Sequence, residues 1–450
     1  MLRDCVVLIT LALIAEPAPA NDLLRLYQLA LTQDAVLQTA TAQRDAAVEA
    51  RPQALSRFLP QLTASGSAAR ERVDSENTTS GNSQPGACAL AGGSQRCYGN
   101  TYGAGLSLSQ TLLSFEALYH VKEANRQAAS AEASLVDARQ ALLFRVAQAY
   151  FAMLEASDQL TTARSERAAF ATLLDQAKVR QQTGVGPRSD VEQAQSFYDA
   201  TEQSVIDAQN ALDDASLALA EIVGAPVKEI APLRDDIPLT PPDPASVDEW
   251  VEIARHDNPA LQAAHLQVEA ADYDISAQRG RGLPTLALVA PTTRTWQDAA
   301  VGGNQSSDMV GLTLQWPLFQ GGAVQSALRQ SRALYRQALA QYESALRATE
   351  TRTRAAYRGI LTGINRVAAA QRAVESARVA VEASRHNVEF GTGTEFDLLN
   401  SQNNYSTSLR AYSQTRYDYL DSILALKQQA GRLTDHDLAQ IDDLLVTHGS

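Results

Sequence analysis

The chain has 450 residues, a formal net charge of −13 and only three cysteines. That acidity argues against a nucleic-acid partner, and past the first 20 residues there is no run of ~18 apolar residues that would make a membrane-spanning helix. Any membrane crossing must therefore be a closed β-barrel, the other structure that pairs every backbone group in lipid.

Residues 1–20 read as a secretory signal. Arg3 supplies the positive start, Val6 to Ala15 a short apolar run, and Ala18-Pro19-Ala20 a small-residue cleavage site. Cleavage there removes Cys5 and leaves Cys88 and Cys97 in a Gly/Ser-rich stretch. Two cysteines so placed in an exported chain predict a loop disulfide. No histidine lies beside them, so no metal site is read there.

From Asn21 onward the chain is one large unit made twice. Gly184, Gly186, Asp190, Gln195 and Tyr198 recur as Gly391, Gly393, Asp397, Gln402 and Tyr405, and Tyr150 recurs as Tyr357, all at a shift of 207. Leu37, Gln38 and Pro60 recur as Leu261, Gln262 and Pro284 at a shift of 224, and Gly105, Leu106 and Leu108 as Gly311, Leu312 and Leu314 at 206. The first copy covers 21–223 and the second 247–431. A linker, 224–246, carries six prolines between them, and a tail, 432–450, follows.

Each copy reads as a helix, two strands and two long helices. The strands are expected at 61–70 and 102–113, then at 285–294 and 309–318. The long helices are expected at 116–183 and 188–223, then at 322–390 and 395–431. Between Glu116 and Thr183 there is neither Gly nor Pro, and at ~1.5 Å per residue such a helix spans roughly 100 Å. Tyr357, Ile360, Ile364, Val367, Ala370, Val374, Ala377, Val381 and Val388 recur at alternating spacings of three and four, the 3.5-residue period of a coiled-coil seam. Leu398, Tyr405, Leu409, Tyr412, Tyr419, Ile423 and Leu426 continue it; Tyr150, Met153, Leu160, Ala163, Phe170 and Leu174 form its first-copy counterpart, interrupted at Ser157 and Arg167. Gly359 and Gly363 are expected to weaken or bend their helix.

In the strands, Val310, Leu312, Leu314, Trp316 and Leu318 alternate with small or polar residues, as do Leu106, Leu108 and Leu112. One apolar and one small-polar face at period two fit a membrane strand of about 10 residues between lipid and a watery lumen. Trp296 and Trp316 are candidates for the interfacial belt. Residues 71–100 and 297–307 read as exposed loops. Four strands cannot close a barrel, since the smallest have eight, so chains must share one. Three chains give twelve strands, while eight and sixteen remain open by counting alone.

The mature chain resembles the TolC family of outer-membrane efflux channels. The resemblance rests on Tyr27–Ala30 with Gln38, Arg51 through Leu59-Pro60-Gln61-Leu62, and Ala149-Tyr150-Phe151. It continues through Arg180-x3-Gly184-x5-Asp190-Val191, Leu283-Pro284-Thr285-Leu286, Leu314-x2-Pro317-Leu318-Phe319-x-Gly321-Gly322 and Gly391-Thr392-x4-Asp397-Leu398-Leu399, in order through both copies. The fold it implies is mainly α with a small membrane β-barrel: four strands and long coiled-coil helices per chain, and a homotrimer closing a twelve-stranded barrel above an α-helical periplasmic tunnel. The linker and tail would form an equatorial layer. The implied partners are a periplasmic adaptor (membrane fusion protein), an inner-membrane ABC, RND or MFS pump, and outer-membrane lipid. The implied role is the exit channel of a tripartite efflux pump or type I secretion system; the alternative is a non-conducting coiled-coil tether with a barrel anchor.

In that family an acidic ring near the start of the last helix closes the periplasmic end. Asp397 matches its first acid, and the second falls at Asn400. Asp190, the first-copy equivalent, matches a gate residue of the family, and the sequence departs from that family's latch at its two partners, the basic one reading Gly393 and the tyrosine Val388. The turns Gly184-Val185 and Gly391-Thr392, with Arg180 just before the first, match the adaptor contact. A solvated helix residue is the plainer reading of Arg180, and a first-turn acid that of Asp190. Phosphate-loop, zinc-protease and serine-hydrolase motifs are all absent, so neither enzyme activity, cofactor nor metal is expected.

Overall fold

The computed structural model describes residues 22–75, 95–298 and 304–446. The expected signal sequence and Cys88 lie outside the described residues, as does much of the two expected loops; Cys97 is described only through its backbone. In chain order the elements are α1 (Asp22–Gln33), α2 (Ala35–Val48), α3 (Ala50–Ser56), β1 (Gln61–Ser75), β2 (Gln95–Leu113), α4 (Phe115–Gln182), α5 (Arg188–Val223), α6 (Val247–Asp257), α7 (Pro259–Gly280), β3 (Thr285–Gln297), β4 (Gln305–Asp308), β5 (Gly311–Gln315), α8 (Ala323–Glu389), α9 (Glu395–Gln429) and α10 (Asp435–Asp442). Among the described residues no helix is long and apolar enough to cross a membrane.

The chain divides into two compact units that do not follow the two copies. One takes the residues up to Thr41 with Leu135–Pro259 and Leu346 onward; the other takes Ala42–Ser134 and Ala260–Ala345. Each unit draws on both copies.

The second unit holds the sheet. Its antiparallel order is β1-β2-β3-β4, with β5 also on β3. Pairing of Leu62 with Leu108, Ala64 with Leu106, Leu108 with Ala290, Leu286 with Leu314 and Leu288 with Leu312 puts the leucines on one face. Thr63, Ser65, Ser67, Ser107, Ser109 and Thr313 fall on the other, because successive side chains alternate across a strand. The expected strand 309–318 is corrected: only Gly311–Gln315 of it is strand, as β5, while Met309 and Val310 separate it from β4, which falls before it, mostly in the expected loop 297–307. Opposite the break stands Pro291, which has no N–H to give the ladder; only its carbonyl is used, by Met309 N at 3.1 Å. Pro317 likewise cannot extend β5. The two tryptophans lie at opposite ends of the sheet. Trp296 pairs with Tyr102 at the loop end, whereas the Trp316 indole donates to the Gly282 carbonyl (3.3 Å) at the helix end.

The first unit is built on α4, α5, α8 and α9. Between 369 and 388 the positions of α8 shielded from solvent are 370, 374, 377, 381, 384 and 388, the seam read from the sequence. The interruption expected at Arg167 resolves differently. Arg167 is exposed, and its neighbour Glu166 is buried, bonded to Arg410 of α9 at 2.8 Å. Nor do Gly359 and Gly363 break α8, which runs unbroken through both. A Cβ at Gly359 would lie 3.1 Å from the Ser422 hydroxyl and one at Gly363 3.2 Å from the Tyr419 ring. Close approach of α9 is what these glycines serve.

The Pro-rich linker is fastened to the helices by tyrosines. Tyr150 donates to the Ala231 carbonyl at 3.0 Å, and its repeat partner Tyr357 donates to the carbonyl of Ala245. Tyr419 accepts from Thr240 N–H at 2.9 Å. The tail meets the linker at a bridge between Leu233 and Leu445, and Asp442 accepts from the N–H groups of Leu23 and Leu24 at the start of α1, both at 3.0 Å. That buried carboxylate on a positive helix end adds electrostatic support. Tyr150→Phe should cost about 1 kcal/mol, since it removes the buried hydrogen bond to the Ala231 carbonyl; a urea unfolding midpoint would report it.

Candidate functional site

The conspicuous site in the first unit lies where α4 turns into α5 and α8 into α9. The two turns use the same bonds at a shift of 207. Val185 and Gly186 N–H donate to the Arg180 carbonyl at 3.0 and 3.1 Å; Thr392 and Gly393 N–H donate to the Asn387 carbonyl at 2.8 and 3.0 Å. The glycines divide the labour. Gly184 (φ 75°) and Gly391 (φ 71°) take the left-handed conformation that ends a helix. Gly186 and Gly393 allow close approach: a Cβ would lie 3.2 Å from the Arg180 Cβ and 2.8 Å from the Asn387 Cβ, respectively. Val185 at the apex of the first turn is exposed, as is Thr392 at the second. Gly393→Ala should distort the second turn and cost on the order of 1–3 kcal/mol. Hydrogen exchange of the Thr392 and Gly393 amides would show it as lost protection.

Beneath the turns is an apolar cluster of Phe170, Leu173, Leu174, Ala177, Ala194, Val381, Leu398 and Leu399, with Phe170 stacked on Phe197 at 5.4 Å. Val388 packs against this cluster. The two positions where the family's latch would find its partners are thus occupied by a packing residue and a turn glycine.

A cleft of about 1090 Å³ opens between the turns, lined by Arg180, Asp190, Arg385, Glu389 and Glu395 among others. Its central contact was not anticipated from the sequence: Arg180 Nη2 meets Glu395 Oε2 at 2.7 Å, and the Glu395 side chain is only 3% exposed. Arg180 is therefore held in an ion pair rather than simply solvated. Glu395 Oε1 is buried and has no hydrogen-bond partner among the described residues. Burial pushes the Glu395 carboxyl up, Arg180 pulls it back, and nearby Asp190 pushes it up again, so it ends above the ordinary glutamate range. The pair joins the end of α4 to the first residue of α9. No equivalent exists in the other combination, since a shift of 207 relates Arg180 to Asn387 and Arg188 to Glu395.

Asp397 closes a capping box at the start of α9. Its N–H donates to the Thr394 hydroxyl at 3.1 Å, and its carboxylate accepts from the Thr394 N–H and hydroxyl at 3.3 and 2.6 Å. It remains exposed, and Asn400 lies half-buried one turn on. Asp190 sits in the first turn of α5, where an acid favours the positive helix end, but makes no cap bond.

The family model for outer membrane efflux proteins matches residues 26–225 and 250–432. The chain belongs to the outer membrane efflux protein family. It is 30% identical to the alkaline protease secretion protein AprF of Pseudomonas aeruginosa over 95% of this chain and 88% of that protein. It is 28% identical to the proteases secretion protein PrtF of Dickeya chrysanthemi over 98% and 95%, and 29% identical to the outer membrane protein TolC of Vibrio cholerae over 94% and 93%. Among solved structures, CusC superposes with a TM-score of 0.77 at 18% identity, covering 93% of this chain and 95% of that one; VceC of Vibrio cholerae does so with 0.76 at 20%, covering 91% and 96%. These likenesses establish the fold, with an α-helical tunnel and a β-barrel contribution. As a family member the protein is an outer-membrane exit channel that extends into the periplasm, a conduit for efflux or type I secretion rather than an enzyme.

Proposed function

We propose that three copies assemble one twelve-stranded barrel and one helical tunnel, and that this duct passes polypeptides received from a periplasmic adaptor and an inner-membrane ABC pump. The observation that carries the assembly is the sheet: β1 lies at one edge and β4 and β5 at the other, and such open edges in lipid cost several kcal/mol per unpaired group. Its apolar face suits lipid and its Ser/Thr/Gly face a watery lumen, which a non-conducting tether would not need. The copies at 21–223 and 247–431 would line the wall in alternation, a reading supported by the matched Tyr150 and Tyr357 bonds and the matched turns. The names of AprF and PrtF favour protease-like cargo over small drugs. Mass photometry of the detergent-purified oligomer should return three chains, and planar bilayers should show discrete openings. Co-expression with a protease-exporting pump and adaptor, in a host deleted for its own channel, should put protease in the medium. Drug resistance restored with protease still retained would reverse the choice of cargo.

At the tunnel tip, the Arg180–Glu395 pair locks the two turns together, Asp397 supplies three carboxylates to the constriction, and the exposed apexes Val185 and Thr392 face the adaptor. Like charges converging in a narrow pore favour cations. With Asn400 in place of the family's second acid, selectivity is expected to be modest. Asn400→Asp should raise cation selectivity, read as a larger reversal potential in a salt gradient; an unchanged potential would remove Asn400 from the pore lining.

A further inference from the structure

The lipid-facing reading of the sheet exposes a second use for its loop end. On the leucine face, β1 continues from Leu62 through Ala68 to Arg70 and Arg72, and β3 from Leu286 through Thr292 to Arg294 and Trp296. Counted from the helix-proximal ends at Gln61 and Thr285, both arginines come nine steps along. That is the length of a tilted strand across the hydrocarbon core, so both arrive at the same interface. They are also repeat partners, since Arg70 and Arg294 differ by the shift of 224 that relates Pro60 to Pro284. Register supports one level. Gln61 pairs with Ser109 and Ser109 with Val289, four positions past Thr285, a stagger of the kind tilted barrel strands require. Aromatics share this end and this face: Tyr98, Tyr102 and Trp296 are 58, 54 and 48% exposed.

The two arginines differ in what meets their charge. Arg294 is held by Asp308 through two bonds, 3.0 and 3.1 Å. The position related to Asp308 by the shift of 206 is Tyr102, which carries no charge, and the Arg70 guanidinium lies over the Tyr98 ring at 5.9 Å. A ring face orients a guanidinium without neutralising it. An exposed cation with no acidic partner among the described residues, on an aromatic rim at the loop end of an apolar face, is complementary to a lipid phosphate.

Resting on the barrel reading, we propose that Arg70, on its aromatic rim of Tyr98 and Tyr102, binds the phosphate of an anionic glycolipid headgroup in the outer leaflet, while Asp308 withholds Arg294 from the same role. The experiment uses the oligomer in neutral detergent with diphosphorylated lipid A as the probe, zwitterionic phosphatidylcholine as the neutral lipid and inorganic phosphate at matched ionic strength as competitor. Wild type is expected to retain lipid A over phosphatidylcholine, with free phosphate a poor competitor. Arg70→Gln should weaken retention about fivefold, and Asp308→Asn, by releasing Arg294, should tighten it by a similar factor. Arg70→Lys should lose less than Arg70→Gln but stay below wild type, because the charge remains while the planar guanidinium that lies over Tyr98 is lost. Equal retention by wild type and Arg70→Gln, weaker retention by Asp308→Asn, or displacement by free phosphate would each overturn the proposal. Conductance of the same Arg70→Gln oligomer keeps the two readings apart: it should match wild type, and a wild type that never conducts would sink the channel and not the lipid site.

Discussion

Arg180→Gln is expected to open the periplasmic tip. The substitution removes the cation paired with a carboxylate that is 3% exposed and that, among the described residues, already has one oxygen unpaired. Breaking a buried pair from one side costs about 3–5 kcal/mol, because the remaining charge is stranded. Glu395 can escape only by taking a proton or by moving to water, and moving to water separates α9 from α4. Even about 2 kcal/mol of bias changes a two-state equilibrium about thirtyfold. Single-channel recordings should therefore show Arg180→Gln open for a far larger share of the time. Glu395→Gln should open less, since a neutral amide tolerates burial better, and the exchange Arg180→Glu with Glu395→Arg should recover part of the closure. The pair also sets the sign of a pH response. With the pair formed, the Glu395 carboxyl lies above the ordinary glutamate value, so on the proposed gate role the paired tip binds more protons than a tip with Glu395 in water. Falling pH through the window between those two values favours closure, and the advantage is lost as pH rises through the raised value. Wild type should open less often at pH 5 than at pH 7, and Glu395→Gln should lose this part of the dependence. A wild-type open probability that rises on acidification would reject this role for Glu395.

The long helices and their seam were legible because a 3.5-residue period sustained over many turns is the mark of helices that pack along one continuous stripe. The left-handed glycines at Gly184 and Gly391 were legible for a similar reason: a helix end demands them. What escaped was whatever lies far apart in sequence or uses polar side chains for packing. Glu166 and Arg410 satisfy each other inside the seam, where a period count admits only apolar residues. α9 carries a second buried stripe, Leu399, Ser406, Ser413 and Leu420; half of it is serine, so hydropathy does not register it. Arg180 and Glu395 are 215 positions apart (395 − 180). The acid that the family resemblance marks is Asp397, two residues further on, whose bonds are local capping bonds. The strand break opposite Pro291 depends on which residue faces it across the ladder, a matter of register that neither segment reveals alone.

Asp421→Asn should stabilise the protein at pH 8 and do nothing at pH 4. Burial, then the like charges of Asp418 and Glu155, push the Asp421 carboxyl up to about 7. Its Oδ1 is buried and unpaired among the described residues. The residue borders a cavity of about 480 Å³ that also holds Asp418, Arg358 and Arg366, yet the two arginines do not offset the crowding on α9. A carboxyl whose folded value exceeds its unfolded one, 3.8, favours folding most below that unfolded value. Stability is then lost steadily as pH rises from about 4 to about 7 and is flat beyond. Each unit of difference is worth about 1.36 kcal/mol, so on the order of 4 kcal/mol is forfeited at pH 8. Asparagine keeps the shape and cannot ionise, which returns that energy only where aspartate would be charged. Urea midpoints of both proteins across pH 4 to 8 should therefore start together and diverge through this window. Equal midpoints at pH 8, or a constant offset at every pH, would mean that the Asp421 carboxyl is not held above its unfolded value by burial and the cluster with Asp418 and Glu155.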